Sequence, residues 1–525
     1  MPLGSTTLRR SPRVEPIGPD LIARDIKALV GVALLCFVMP WVLLSSLETG
    51  VRGSAWLVFL AVAVWAGLRI ALLLADGRPA LFTYVFWLFT YVFMGVGAMV
   101  QFGTGEIAYT TPRIIVDYDL QTALVTLVGV AAFELGSVAT RHLTPDRWAM
   151  RALLPANLRA DGRRDDVPAD HTRAMLLVAG SAPICLYYVS KIGIGPLFAN
   201  RITRTQAGLA AFPDATMAAI IVALAWVPAL VAMHRIVGER VRLRGTGYRL
   251  GSLELLTVGV AGIMLLLINN PISSSRYGFG SMVLSFLPML GAFSTVQRSR
   301  RALVAIAVSL LVAFPMADAF RTDERGTFSF SLVDEYPENP DYDTAAQLHN
   351  AIRIVDEDGV TWLRQPLGTA LFWVPRSIWP DKPIDTGTYL AAQRDYDFQI
   401  LSAPLWAEFY MIAGWFSVVV GFVALGSLFV RLDRRTSYQL LTGSAYPLGA
   451  SFMAFYLFIL LRGSLLQAMA IPAVFAASAW FSRPPARVPA AVATAAPAPT
   501  DPDDDLTESQ RRVLSRWARD DDHDE

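Results

Sequence analysis

The sequence predicts an all-α polytopic membrane protein with about twelve transmembrane helices and a large, partly helical extracytoplasmic loop between the ninth and tenth. Three observations carry that prediction. Hydrophobic residues make up 54% of the 525-residue chain and charged residues only 17%, against roughly 25% charged in soluble domains, and the mean hydropathy is +0.43. Apolar runs near the roughly 20 residues a helix needs to cross a bilayer recur along the chain. Arginines collect on alternate connections between those runs, as the positive-inside rule requires. A soluble enzyme, a disordered scaffold and a nucleic-acid binder are excluded. No succession of short alternating strands suggests a β-barrel. Cys36 and Cys185 both lie inside apolar runs, so neither a disulfide framework nor a cysteine metal site is expected. Lysine occurs only at Lys27, Lys191 and Lys382, a usage that fits GC-rich bacterial coding.

The runs place spans at 26–47, 54–75, 80–101, 120–140, 173–190, 216–234, 253–270, 277–295, 301–320, 404–431, 442–461 and 464–481. A cytoplasmic segment, 1–25, precedes them and carries Arg9, Arg10, Arg13 and Arg24. The first apolar run is too long for a signal peptide and lacks a convincing cleavage site, so it is expected to stay as a helix. With the N-terminus inside, twelve alternating spans put the arginine-rich connections 141–172, 235–252, 296–301 and 432–441 inside as well. Both termini are then cytoplasmic and the protein belongs in a bacterial plasma (inner) membrane.

Spans one to nine fill 26–320 and spans ten to twelve fill 404–481. Between them, 321–403 forms a cap with seven basic and fourteen acidic side chains. Connections of that length without a function are uncommon. Helical periodicity over 345–358 and the aromatic run Phe372, Trp373 and Trp379 predict a folded lid that touches the membrane surface. The segment 482–525 carries RPPARVPAAVATAAPAPTDPDDD at 483–505 and is expected to be a disordered cytoplasmic tail.

Standard soluble motifs are missing: no P-loop, no GxGxxG in strand context, no GxSxG, no HExxH. What remains is a set of cations on the side the positive-inside rule leaves poor in charge: Arg201, Arg204, Arg276, Arg376, Lys382 and Arg462. Each alone could be a snorkelling interface anchor. Several at the same depth mark a functional path. A guanidinium recognises phosphate in a planar, bidentate fashion, and converging cations would bind a lipid pyrophosphate and stabilise it as a leaving group. Glu408, at the start of the tenth span, is a candidate base for a hydroxyl or a structural partner of one of the arginines. His349, on the cap helix, is a second candidate base or an exposed loop residue. The tripeptide DYD occurs at 117–119, 341–343 and 395–397. Asp117 and Asp119 could serve a metal-dependent transferase, although Asp favours turns for local reasons.

The segment VPRSIWPDKP (374–383) resembles the PR-x-(I/L)-(W/F)-P-x-K-P signature of bacterial oligosaccharide repeat-unit polymerases, the Wzy or O-antigen polymerase type. NNPISSSRYGFGSMVL (269–284), PLWAEFYMIAGWFSVVVGFVALG (404–426), LRGSLLQ (461–467) and, more loosely, GPLFANRITRTQ (195–206) are similar to further segments of that family, in the family's order. The chain departs from the pattern at Ser464, where the family often has an acidic residue, and in the acidic piece DEYPENPDYD (334–343). The resemblance implies transfer of a growing glycan from its polyprenyl pyrophosphate carrier to a hydroxyl of a second lipid-linked repeat unit. Neither a metal nor a nucleotide sugar is required. It implies pyrophosphate contacts from Arg276, Arg376 and Arg462, with Arg201, Arg204 and Lys382 serving one of two lipid sites. Membrane lipids, a chain-length regulator and a flippase are the expected partners, and no nucleic acid. A ligase of the O-antigen type and a lipid-linked oligosaccharide flippase are the alternative readings.

Overall fold

The structure, a computed structural model, describes residues 20–45, 53–105, 116–143, 170–243, 248–313, 336–337, 339–394, 396, 401–442 and 445–483. Described residues are helical or irregular, with no strand among them. The arginines at 9–13 and 147–164, the acids at 334, 335 and 338, and the proposed tail beyond 483 lie outside the described residues.

Among the described residues, seven helices are long and apolar enough to cross a membrane: α1 (Asp25–Ser45), α2 (Ala55–Asp76), α3 (Leu81–Thr104), α4 (Asp119–Leu143), α5 (Thr172–Ile192), α6 (Ala215–Val241) and one within Leu405–Leu441. Shorter helices follow the remaining expected runs, and local chemistry explains why they are shorter. The run expected at 277–295 is helical only as α7 (Arg276–Ser285). Beyond it Pro288 cannot donate a helical hydrogen bond, and Gly291 takes φ +74°, which a side chain would resist. Ser252–Ile268 forms α8 and Val296–Val308 forms α9. In the cap, Thr344–Asp358 forms α10. The last elements are α11 (Leu405–Thr442), α12 (Leu448–Arg462) and α13 (Ala470–Phe481).

Two apolar cores share α12. One gathers α2, α3, α4 and α11 around Phe86, Trp87, Phe133 and Trp406. The other gathers α5, α6, α8 and α13 around Trp226, Leu230, Phe452 and Phe475. Helix α3 is the central post, and its apolar window is buried along its whole length. It widens to π-helix over Thr90–Gly97. Close approach of its neighbours depends on glycine: a Cβ at Gly95 would lie 2.9 Å from the Ala63 backbone, and one at Gly129 would lie 2.2 Å from Trp406 Nε1.

Helix α11 is not the simple span that 404–431 suggests. Ala413 and Gly414 leave the helical region, Gly414 with φ +62°. The indole of Trp406 then packs 4.4 Å from the Phe422 ring, which two residues sixteen apart on one straight helix could not do at 1.5 Å per residue. The chain therefore rises through Leu405–Ile412, reverses, and descends along α4. The cap seals the reversal: Thr361 N donates to Met411 O at 2.7 Å and Trp362 N to Ile412 O at 2.9 Å. Carbonyls freed by the break thus regain donors, as buried backbone requires.

Candidate functional site

The site is built where a cap segment dips into the bundle. Asn339 starts a single 3-10 turn, its side chain accepting from Asp341 N at 2.9 Å, and Asp343 follows at the N-cap position just before α10. This turn is deep. Gln101, on α3, donates to Tyr336 O at 2.9 Å, and the Tyr342 ring stacks 5.4 Å from Phe93. Phe93 precedes Thr104 by enough helix to sit roughly 16 Å below the cap end of α3.

Arg276 and Arg462 meet on that turn. Arg276 begins α7, directly after Ser275 has capped the helix by accepting from Gly278 N. Its Nη2 lies 2.7 Å from Asp341 Oδ2. Arg462 ends α12, and its Nη2 lies 3.3 Å from Asp341 Oδ1 and 3.7 Å from Asp343 Oδ1. Arg462 also donates from Nε to Asp341 O at 3.1 Å and stands 5.1 Å from the centre of the Tyr277 ring. One carboxylate thus bridges two guanidiniums with one oxygen each, the geometry by which a phosphate would join them. Asp343 is buried and accepts from Gln347 and Ser402. Burial pushes its carboxyl above the usual range, against the opposing pull of Arg462.

Arg204 serves the chain break beside Arg276. It donates to the hydroxyls of Ser273 and Ser274 and to Ile268 O at 2.6 Å. Arg201, three residues earlier on the short helix Arg201–Ala211, is exposed.

Arg376 and Lys382 belong to a different construction. The segment 374–383 folds back on itself, with Arg376 Nη1 donating to Lys382 O at 2.7 Å. The Lys382 ammonium is buried and donates to Phe372 O and Val374 O. Burial and, after it, the charge of Arg376 push that ammonium below its usual range. In this proline-rich turn, few backbone amides can satisfy the carbonyls, so the two cations do. Trp362, Leu363, Trp373 and Ile378 leave large apolar surfaces exposed around the turn.

Glu408 lies on the rising limb of α11, 2% exposed. Its Oε1 accepts from Leu465 N at 2.9 Å and its Oε2 from Thr386 Oγ1 at 2.9 Å, while Thr386 N donates to Ser464 Oγ at 3.1 Å. The carboxylate ties the cap to the turn after Arg462, and no arginine is among its described contacts. Its described partners are a backbone amide and a hydroxyl. Ser464, where the resembled family often carries an acid, is a buried member of this knot.

His349 is fully buried on α10, where a loop residue would have been exposed. Its Nε2 lies 3.5 Å from Asp119 Oδ1, with Tyr118 and Phe102 rings 5.8 and 6.2 Å away. Asp117 is exposed. No group of three or more His, Cys, Asp or Glu side chains suited to a metal ion occurs among the described residues.

The structure therefore brings together Arg276 and Arg462, sets Arg204 on the 268–274 break that precedes Arg276, and sets Arg376 with Lys382, Glu408, and His349 with Asp119 in three other settings. Asp341 and Asp343 are the members the sequence reading did not single out for the site. The signal that could have found them is charge balance: sunken arginines require partners, and the cap carries twice as many acids as bases. No protein-family profile, no curated protein and no solved structure matches this chain.

Proposed function

We propose that the chain is a membrane glycosyltransferase that polymerises polyprenyl-pyrophosphate-linked oligosaccharide repeat units into a surface polysaccharide. It works on the outer face of a bacterial plasma membrane, with twelve spans and both termini cytoplasmic, and it uses no metal. One observation carries the reading: Arg276 and Arg462, from distant stretches, converge on a single cap carboxylate. Two guanidiniums held one anionic group apart suit a pyrophosphate, and neutralising that leaving group lowers the barrier to its departure. Exposed aromatic and aliphatic side chains on the cap suit a lid resting on lipid headgroups.

In the reaction, the bond between the donor sugar's anomeric carbon and the pyrophosphate oxygen breaks. The acceptor hydroxyl oxygen bonds to that carbon, and its proton passes to a base. The entering diphosphate displaces Asp341 from both arginines, and the released carboxylate takes the proton, with Asp343 beside it. Glu408 and His349 hold the cap and its helix in place rather than exchanging protons. Arg204 keeps the break before Arg276 folded. Arg376 and Lys382 shape the lid over the second lipid site, and Arg201 faces the headgroups there.

The test is the glycan ladder of a deletion strain complemented with full-length variants. Arg276→Ala and Arg462→Ala should leave single repeat units where wild type makes long chains, with protein present in the membrane. Unchanged chain lengths in both variants would remove the pair from the site. A lipid-linked oligosaccharide flippase is the second reading, favoured by the depth of the pair along α3. Normal lengths of polymer formed by purified protein from pre-flipped substrate would exclude it. A ligase is distinguished by its acceptor, since it makes no polymer from repeat units alone.

A further inference from the structure

The end of the bundle opposite the cap holds a cavity of about 630 Å³ between α6 and the turns that follow α7. Helix α7 ends at Ser285, and the chain then winds through Pro288 to Gly291, the turns that border this space. Met233 and Val237 of α6 form one wall, and Phe286, Met289 and Leu290 of the turns form the other. Leu290 is 71% exposed, so the cavity has an open apolar lip.

Arg240 and Arg249 stand at its rim, both exposed. Among the described residues, the cavity lining contains no acid. Glu254, the nearest acid on α8, is engaged elsewhere, accepting from Gly251 N at 2.8 Å and facing His171 at 2.5 Å. Tyr248, also lining the cavity, donates to Glu254 and stands near Glu239 of α6. An arginine that merely snorkels lies over a continuous apolar helix surface. Here two of them border a gap with apolar walls, a combination with both halves of an amphiphile's requirement.

We propose that this cavity binds an anionic phospholipid, its acyl chain between α6 and the 286–290 turns and its phosphate between Arg240 and Arg249. Basic pockets between membrane helices take anionic headgroups, and a mostly apolar cleft with a few convergent polar groups is the usual form of a small-molecule site. Charge complementarity selects the anionic lipid over a zwitterionic one. The bound lipid completes the packing that the broken helix leaves unfinished. The site is remote from the arginine pair, and its existence does not rest on the glycosyltransferase reading.

The experiment uses the full chain, purified in detergent and stripped of lipid, with phosphatidylglycerol, phosphatidylcholine or inorganic phosphate added. Binding is read by native mass spectrometry and by the shift in melting temperature. Phosphatidylglycerol should remain attached and raise the melting temperature, and the other two should not. The double variant Arg240→Gln/Arg249→Gln should lose about tenfold in affinity, equivalent to about 1.4 kcal/mol. Met289→Trp should fill the cavity and displace the lipid with both arginines intact; Leu290→Trp at the lip gives a second blocked variant where Met289→Trp melts below wild type. Equal binding of both lipids, equal stabilisation by inorganic phosphate, unchanged affinity in the double variant, or unchanged affinity in the blocked variants would each overturn the proposal.

Discussion

Two cationic constructions at the cap end use the same residue types for different physics. In the 374–383 turn, Arg376 and Lys382 donate to backbone carbonyls within ten residues of themselves. In the sunken site, Arg276 and Arg462 reach across the fold to carboxylates of a third segment. The first closes a local loop that prolines have left short of donors. The second concentrates charge at depth, where it costs energy unless paired. The turn's cations are satisfied within their own loop, whereas the pair's partners come from a distant segment.

The sharpest way to break this comparison is Arg462→Ala. It leaves Asp341 with Arg276 as its cation, takes the Arg462 charge away from Asp343, and removes donors from the 340–341 carbonyls. Removing one partner of an enclosed ion pair costs on the order of 3 kcal/mol, the lower end of the range because Arg462 is partly exposed. Melting temperature in detergent and chain length in cells should both fall. Retention of both would mean that the pair is an ornament of the fold. Lys382→Met comes next. It orphans two carbonyls and should cost about 1–3 kcal/mol, with chain length lowered only as far as the folded protein is. A complete loss of polymer at wild-type stability would instead put Lys382 on the substrate.

Arg376→Ala sharpens the contrast from the other side. It removes one strong and one long bond to carbonyls, for about 1 kcal/mol. Polymer length should stay closer to wild type than in Arg276→Ala. The reverse ranking would return the pyrophosphate to the turn.

Much of the fold was legible because its cause is local. Apolar runs of bilayer length give helices regardless of tertiary context, and α1 to α6 lie where hydropathy puts them. What hydropathy misses is where an apolar run stops being helix. Pro288 and Gly291 end α7 early, and Ala413–Gly414 reverses α11, yet neither changes the run's composition. The site was half legible. Charge placed against the positive-inside rule marks Arg276 and Arg462 from sequence alone. Their union on Asp341 does not follow, because the turn at 339–343 reads as an ordinary acidic loop until its depth against Phe93 is known. Glu408 shows the same limit: a carboxylate at a helix start looks reactive, and only the opposing Leu465 amide and Thr386 hydroxyl reveal a knot.

The smallest effect tests which force governs the sunken carboxylates. Burial raises the Asp343 carboxyl and the Arg462 charge opposes it, with burial the larger. A carboxyl raised in the folded state contributes stability below its unfolded value, near 3.9, and loses that contribution as pH rises through the folded value. Asp343→Asn removes the titration; its amide oxygen accepts from Gln347, and its amide nitrogen donates to the Ser402 hydroxyl, which can turn to accept. Relative to wild type, the variant's melting temperature should therefore climb modestly between pH 4 and pH 7. A relative decline over that interval would mean that attraction to Arg462 outweighs burial. The acidic turn would then be a permanent counterion for the arginine, and a diphosphate could not readily displace it.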